Sequence, residues 1–498
     1  VTDQRPSLIL ITVDCLRADH CGFYGYSRPT TPFLDSLSSE SLVVPTAVVA
    51  GAPTYYSFPT IFAARMPLAL GRDVLGLAPG EETLATTLRQ AGYATAAFSA
   101  ANPYLSPRFG YEQGFELFRD FLDFDAPSIQ GDQKSCTEKS ETGNGRERLN
   151  RWLKKSARAV GLTHLYEELY FQYRLRVAAA PAPNFNALRR FPSADVLVDS
   201  AQSWLATIGS RPFFLWIHFM DAHSPYYPQA DAFRQLTGRK ISPGRARYLN
   251  EFWNRSDLPP SALYRHKEAV VELYDSGIRW VDSQIARLVN YLKRSNRWDE
   301  CVFSLTADHG EEFLEHGRRY HAPVSMVEEL DRAPLLFRVP GQPKVKLPPL
   351  PFSHLHLAPT LLEILDVPPP SAFQGRSLWR PLQQEAPPDA PSEPVIAECV
   401  YGCTNPFLTN ARLSSRLLSV RDSRHKLVIR LEPGGVEEIY DLQDDPAEQH
   451  PLASDRKTEV RRRLLLAAER HVKKTRPAGA AELALKARLR NLRLELGE

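Results

Sequence analysis

Long apolar runs are missing from this 498-residue chain: none reaches the roughly 20 residues that a membrane-spanning helix needs. Cysteine is sparse as well. The six thiols lie far apart except for Cys399 and Cys403, which is neither a disulfide framework nor a zinc-ribbon spacing. Most are expected to be plain buried side chains, and the redox compartment stays open. An excess of one charge is also lacking, since 61 lysines and arginines face 58 acidic residues for a net charge of +3. With ordinary globular composition, that near balance argues against nucleic acid as a partner. There is no internal repeat, and no initiator methionine precedes Val1. A removed leader would mean the cell envelope or periplasm; otherwise the cytoplasm is expected. The length exceeds one ordinary core, so one large domain and a smaller one are expected.

What is present begins with Leu8-Ile9-Leu10-Ile11-Thr12-Val13-Asp14, an aliphatic run that stops at a carboxylate. It reads as a strand buried on both faces with Asp14 at its C-terminal edge, where open α/β sheets bind ligands. An Asp in such a place is more often only a helix cap. A second run of the same kind, Cys301-Val302-Phe303-Ser304-Leu305-Thr306, ends in Ala307-Asp308-His309-Gly310-Glu311 and tips the balance. Two strands bringing Asp14 and Asp308-His309 to one edge would combine the donors that a divalent metal needs.

Between them, Ala50-Gly51-Ala52-Pro53-Thr54-Tyr55-Tyr56-Ser57 is a small-residue turn opening into a helix whose first turn carries Thr54 and Ser57. Its free N–H groups and dipole would face a bound anion, although Thr at a helix start is commonly just an N-cap. Glu82 to Phe98 predicts a helix, a glycine cap and a strand. Pro212 to Phe219 predicts another buried strand, followed by polar residues and preceded by an insertion of different character at about 121–195. Tyr274 to Leu292 and Leu355 to Leu365 predict helices. A Pro-rich stretch at 383–394 marks a boundary, giving domains 1–385, 386–455 and a basic helical tail at 456–498. In the second of these, Arg416–Arg421 and Lys426–Leu431 predict strands, and Tyr440 to Pro446 a turn.

With these residues in view, the chain resembles the sulfatase-like branch of the alkaline phosphatase superfamily. The resemblance is carried by Val13 to His20, Thr54 to Pro67, Leu84 to Phe98, His218 to Pro225, Tyr274-Asp275 with Asp282, Thr306 to Glu311, Glu315-His316-Gly317, Ala333 to Phe337 and Tyr440-Asp441-Leu442. It implies an α/β fold: a large central, mostly parallel sheet flanked by helices, with a smaller C-terminal α+β domain. It also implies Asp14, Asp308 and His309 as metal ligands and Thr54 as nucleophile and further ligand. His223 and His321 would meet the ester oxygens or leaving group, with His218, Asp221 and Asn102 as further substrate-binding positions.

The departures from the family pattern are specific. Formylglycine sulfatases carry Cys or Ser followed by x-Pro-x-Arg, whereas this chain has Thr54, Tyr56 and Phe58, and Thr cannot become that aldehyde. The family's Lys and His after the next strand fall at Ala100 and Asn102, and Cys15 replaces a second ligating Asp. One divalent ion is therefore expected, with zinc or manganese favoured over magnesium or calcium. The activity expected from these departures is a metal-dependent phosphate-ester hydrolase or transferase working through a phospho-Thr54 intermediate. The alternatives are a sulfatase without formylglycine and a non-catalytic binding protein of this fold. The expected partners are a phosphate ester, lipid- or glycan-linked, with peripheral membrane contact or self-association through the basic tail left open.

Overall fold

The computed structural model describes residues 5–71, 74–123, 153, 155–156, 162–173, 182–342, 347, 350–383, 393–453 and 458–475. Among these, a seven-stranded sheet forms the centre. Its strands in chain order are β1 (Ser7–Val13), β2 (Leu42–Val43), β3 (Ala94–Ser99), β4 (Leu117–Arg119), β5 (Phe213–Phe219), β6 (Cys301–Ala307) and β7 (Leu335–Arg338), arranged β2-β7-β6-β1-β5-β3-β4. β1 runs parallel to β5 and β6, and β3 to β5 and β4; β7 runs antiparallel to β6 and β2. The expected mostly parallel α/β sheet is thus present.

Alternation along the strands gives the sheet two buried faces. Ile9, Ile11 and Val13 pack on one side with Leu215, Ile217, Phe303 and Leu305. Leu8 and Leu10 pack on the other with Phe214, Trp216 and Val302. Both faces being covered accounts for near-continuous apolar strands. Register fixes where they stop: Val13 pairs with both Phe219 and Ala307. Asp14, Met220 and Asp308 therefore leave the sheet at one level, at the C-terminal edge of three adjacent strands.

The first face is covered by α1 (Pro32–Leu37), α4 (Ala194–Leu205) and α5 (Pro260–Arg294), and the second by α2 (Thr54–Ala63), α3 (Leu84–Gln90) and α6 (Leu357–Ile364). α5 begins well before the Tyr274 expected from periodicity, because Pro259 and Pro260 start it where Pro is tolerated, ahead of its regular apolar stripe. Gly277 packs tightly against the turn that follows β5. A Cβ there would stand 2.2 Å from the Asp221 carbonyl oxygen.

C-terminally, β8 (Val395–Val400), β9 (Arg416–Arg421), β10 (His425–Arg430) and β11 (Glu437–Asp441) form an antiparallel sheet. Of the turn expected over Tyr440 to Pro446, Tyr440 and Asp441 end β11, paired with β10, and the turn follows from Leu442; β8 has no counterpart among the expected strands. α7 (Thr458–Lys474) buries Leu464, Leu465, Ala468 and Val472 against Leu418, Val420, Leu427 and Ile429. Buried Glu398 ties these parts together: it pairs with Arg416, lies 2.9 Å from His471 Nε2, and accepts from the Leu68 N–H at 2.9 Å. Of the expected insertion, a helix at Thr163–Tyr173 is described, while its polar run at 131–150 and the tail beyond 475 lie outside the described residues. No described helix is long and apolar enough to cross a membrane.

Candidate active site

α2 supplies the centre. All ten of its residues are buried, and it starts beside the carboxylates at the sheet edge. Thr54 is its first residue. The hydroxyl Oγ1 lies 2.8 Å from Asp308 Oδ2, 3.4 Å from Asp14 Oδ2 and 3.3 Å from His309 Nε2. Asp14, Asp308 and His309 are fully buried and offer donor atoms within 4.8 Å of one another, a set that would hold a metal ion.

The surroundings orient these groups. His309 Nδ1 sits 2.8 Å from the Gly310 carbonyl oxygen, an arrangement that leaves Nε2 as the acceptor facing Thr54. Asn102 donates to Asp14 Oδ2 at 3.0 Å. The Tyr274 hydroxyl donates to the Cys15 carbonyl at 2.7 Å and accepts from the Arg17 N–H at 2.9 Å, pinning the turn after β1. His321 Nδ1 lies 2.9 Å from Glu311 Oε1, and Tyr226 donates to Glu311 Oε2 at 2.8 Å. His223 and His321 are partly exposed and 5.1 Å apart between ring centres, and they form the open side of the cluster.

Not every expected substrate contact reaches that opening. His218 is completely buried: Trp216 Nε1 donates to Thr12 Oγ1, Thr12 contacts His218 Nδ1 at 2.9 Å, and His218 Nε2 points at Asp14 Oδ2 from 3.4 Å. It thus sits beneath the Asp14 carboxylate and away from solvent. The Asp221 carboxylate is held in a buried ion pair with Arg189 at 2.8 Å, a partner in the irregular segment before α4 that no local pattern announces. Asn102 reaches the cluster, though as a partner of Asp14.

Two further residues belong to the site. Glu311, which closes the Ala307 to Glu311 motif after β6, is one, with no role expected from the resemblance. Cys15 was read only as a lost ligand; its Sγ lies 3.0 Å from Asp14 Oδ1 and 3.4 Å from His321 Nδ1. Its φ of 60° was the missing signal, and it cannot be read from a sequence.

Electrostatically, the site is rich in buried negative charge. Burial pushes the Asp308 carboxyl up, and the neighbouring Asp14 charge adds to this. Burial alone would raise Asp14 too, but His223, His218 and His309 hold it well below the usual carboxylate range. Burial and the charges of Glu311, Asp14 and Asp308 push the Cys15 thiol well up. Among the described residues no lysine or arginine ion-pairs with Asp14, Asp308 or the Glu311 carboxylate; Arg17 is engaged by Asp19 and Glu315. Ala100 is buried where the resemblance would put a lysine, and Phe58 packs edge-on against His218 where it would put an arginine. Buried carboxylates without cationic side chains fit a bound divalent cation, and two carboxylates, an imidazole and a hydroxyl are suitable donors.

The chain belongs to the sulfatase family, which it matches over residues 6–367. It also matches the C-terminal region of N-sulphoglucosamine sulphohydrolase over 315–474. Among its relatives, a sulfatase of Formosa agariphila is 27% identical over 276 residues, 52% of this chain and 50% of that one. The uncharacterized sulfatase YidJ of Escherichia coli is 24% identical over 467 residues, 91% of this chain and 84% of that one. A delta 4,5-hexuronate-2-O-sulfatase of Bacteroides thetaiotaomicron is 28% identical over 211 residues, 41% and 39% of the two chains. The matches thus span about half the length of the first relative and less of the last. In fold, the chain is similar to a 2-O glycosaminoglycan sulfatase (TM-score 0.62, 18% identity, 95% and 93% coverage). It is also similar to a phosphonate monoester hydrolase of Agrobacterium radiobacter (TM-score 0.60, 17% identity, 94% and 95% coverage).

These findings overturn the expected phosphate-ester hydrolase or transferase with a phospho-Thr54 intermediate, because the matched family and most of the relatives are sulfatases. The departures at Thr54, Ala100 and Asn102 did not discriminate, since a helix N-terminus beside a cation site accommodates either tetrahedral oxyanion.

Proposed function

We propose that the chain hydrolyses sulfate esters, with the Thr54 hydroxyl as nucleophile in the place where formylglycine sulfatases carry an aldehyde hydrate. The sulfate ester is supported by the family match over residues 6–367, and Thr54 as nucleophile by the convergence of Asp308, Asp14 and His309 on its Oγ1 at the start of a buried helix.

Asp14, Asp308 and His309 would hold a divalent ion, zinc or manganese by donor type, which when bound supplies positive charge that favours ionisation of a neighbouring hydroxyl and attracts sulfate oxygens. Asp308 Oδ2, at 2.8 Å, takes the hydroxyl proton as Oγ1 bonds to sulfur and the sulfur–alkoxide bond breaks. The departing oxygen collects a proton from His321, which Glu311 orients through Nδ1. Water then attacks the sulfur of the sulfo-threonine, returning one proton to His321 and the other to solvent as sulfate forms, the sulfur–Oγ1 bond breaks, and Thr54 regains its proton from Asp308. The α2 N–H groups face the charge on the non-bridging oxygens throughout.

The test is steady-state turnover of an aryl sulfate against the matching aryl phosphate. A larger kcat/KM for the sulfate, lost by about a thousandfold in Thr54→Ala, is the expected result. Preference for the phosphate, or wild-type turnover by Thr54→Ala, would overturn the reading.

A further inference from the structure

We propose that Phe407 and Arg108 form a subsite for the alcohol part of the ester, one that takes a ring carrying a second anionic group, a carboxylate or a further sulfate. The inference rests on the reading of Thr54 as the centre of a sulfate-ester site, and it names the class of alcohol.

Three observations carry it. The first is where the connection between β8 and β9 lies. It runs from residue 401 to 415, where about two to five residues usually join antiparallel strands, and connections of such length are commonly functional. Its base is fastened to the segments that carry the site. The hydroxyl of Tyr55, next to Thr54, donates to the Cys403 carbonyl, and the Gly402 N–H donates at 2.8 Å to the carbonyl of Pro323, two residues beyond His321. A third fastening starts at Asn102, whose amide holds Asp14 and whose Oδ1 accepts from the Tyr104 N–H at 3.0 Å. The Tyr104 ring in turn stacks on Phe407. The connection therefore borders the site on the three segments that bear Thr54, Asn102 and His321.

The second is exposure. Ring centres 4.9 Å apart from Tyr55 to Tyr104, and 5.8 Å apart from Tyr104 to Phe407, lead outward from the cluster. Tyr55 is buried, Tyr104 half-buried and Phe407 44% exposed. An aromatic ring left this open at the rim of a polar site offers a flat apolar surface to the C–H face of a saturated ring such as a pyranose.

The third is charge. Exposed Arg108 lays its guanidinium 5.0 Å from the Phe407 ring centre and 5.7 Å from that of Phe109, and it ion-pairs with no carboxylate among the described residues. Stacking holds the group in place without consuming its N–H donors. A guanidinium so held presents the paired donors that match a carboxylate or a sulfate. A ring seated on Phe407 would bring an acidic substituent within its reach, whereas a neutral alcohol leaves it unused.

The experiment is calorimetric titration of the full-length protein in a Thr54→Ala background, so that no probe is consumed. The probes are methyl glucoside monosulfates, methyl glucuronoside monosulfates and methyl glucoside disulfates, each set covering the ring hydroxyls. Members of the glucuronoside or disulfated set are expected to bind about tenfold or more tighter than the monosulfated glucosides. Arg108→Ala should bring the sets to within about twofold of one another, Arg108→Lys should recover part of the difference, and Phe407→Ala should weaken every set. Which acidic set gains distinguishes a carboxylate from a second sulfate. The ratio of kcat/KM between the sets, measured with Thr54 intact, is the second readout should Thr54→Ala fail to fold. Equal binding by all sets, binding by none, or an acidic preference retained in Arg108→Ala would overturn the proposal. Aryl sulfate turnover reads the underlying sulfatase reading separately, so that the two failures are distinguishable.

Discussion

The Thr54 hydroxyl stands 2.8 Å from Asp308 Oδ2, although 254 residues separate them in the chain. The contact exists because β1 and β6 are neighbours in register, so that both strand-end carboxylates meet the first turn of α2.

Thr54→Ser retains the hydroxyl and the start of α2, so its aryl sulfate turnover should stay within about tenfold of wild type, while Thr54→Ala falls by about a thousandfold. Equal losses in the two variants would mean that the γ-methyl, and not the oxygen, matters. Parallel kcat measurements decide.

Cation binding should stabilise the fold by mass action. A zinc or manganese concentration about 100 times the dissociation constant adds about 2.7 kcal/mol, and a chelator removes it. In Asp308→Asn the gain should shrink sharply, because one ligand charge is gone. Thermal unfolding with and without metal is the measurement.

Glu398 gives the acid sensitivity a specific source. Burial alone would raise its carboxyl, but Arg416 and His471, with the Leu68 N–H, hold it well below its ordinary value of 4.5. A depressed carboxyl contributes stability that is complete above about pH 4.5 and is lost as pH falls toward the folded-state value. Glu398→Gln leaves Arg416 buried without its counter-charge, so a loss of about 3–5 kcal/mol is expected at pH 7. The gap from wild type should narrow below pH 4.5 in urea unfolding curves.

Gly277→Ala opposes two effects. Helix propensity favours alanine by about 1 kcal/mol. A Cβ placed 2.2 Å from the Asp221 carbonyl oxygen forces α5 off the end of β5, and overpacking of this kind costs about 1–3 kcal/mol or more. Contact with backbone leaves no flexible side chain to yield, so a lower midpoint of thermal unfolding is expected.

Much of the site was legible because its residues end apolar runs. Asp14 and Asp308-His309 terminate strands whose burial on both faces makes their pairing, and hence their convergence, a consequence of the pattern. Thr54 was legible from the turn that opens α2. The rest lay in features with no local signature. The ion pair of Asp221 is one of them, because its partner Arg189 belongs to the irregular segment before α4. His218 stands near the same strand end as Asp221, and its ring faces Asp14, a contact that the strand pattern alone does not announce. The turn expected from Tyr440 starts two residues later, at Leu442, because pairing with β10 extends β11 through Asp441. The choice of sulfate over phosphate is not encoded in the metal ligands, because both esters present tetrahedral anions to the same groups.

The most direct test of the account is the covalent state of Thr54 during turnover. Rapid-quench intact-mass analysis with an aryl sulfate carrying a heavy sulfur isotope, followed by peptide mapping, is expected to place one labelled sulfo group on Thr54 of the wild type and none on Thr54→Ala. Steady turnover with the label on another residue, or an equal adduct on the alanine variant, would contradict it.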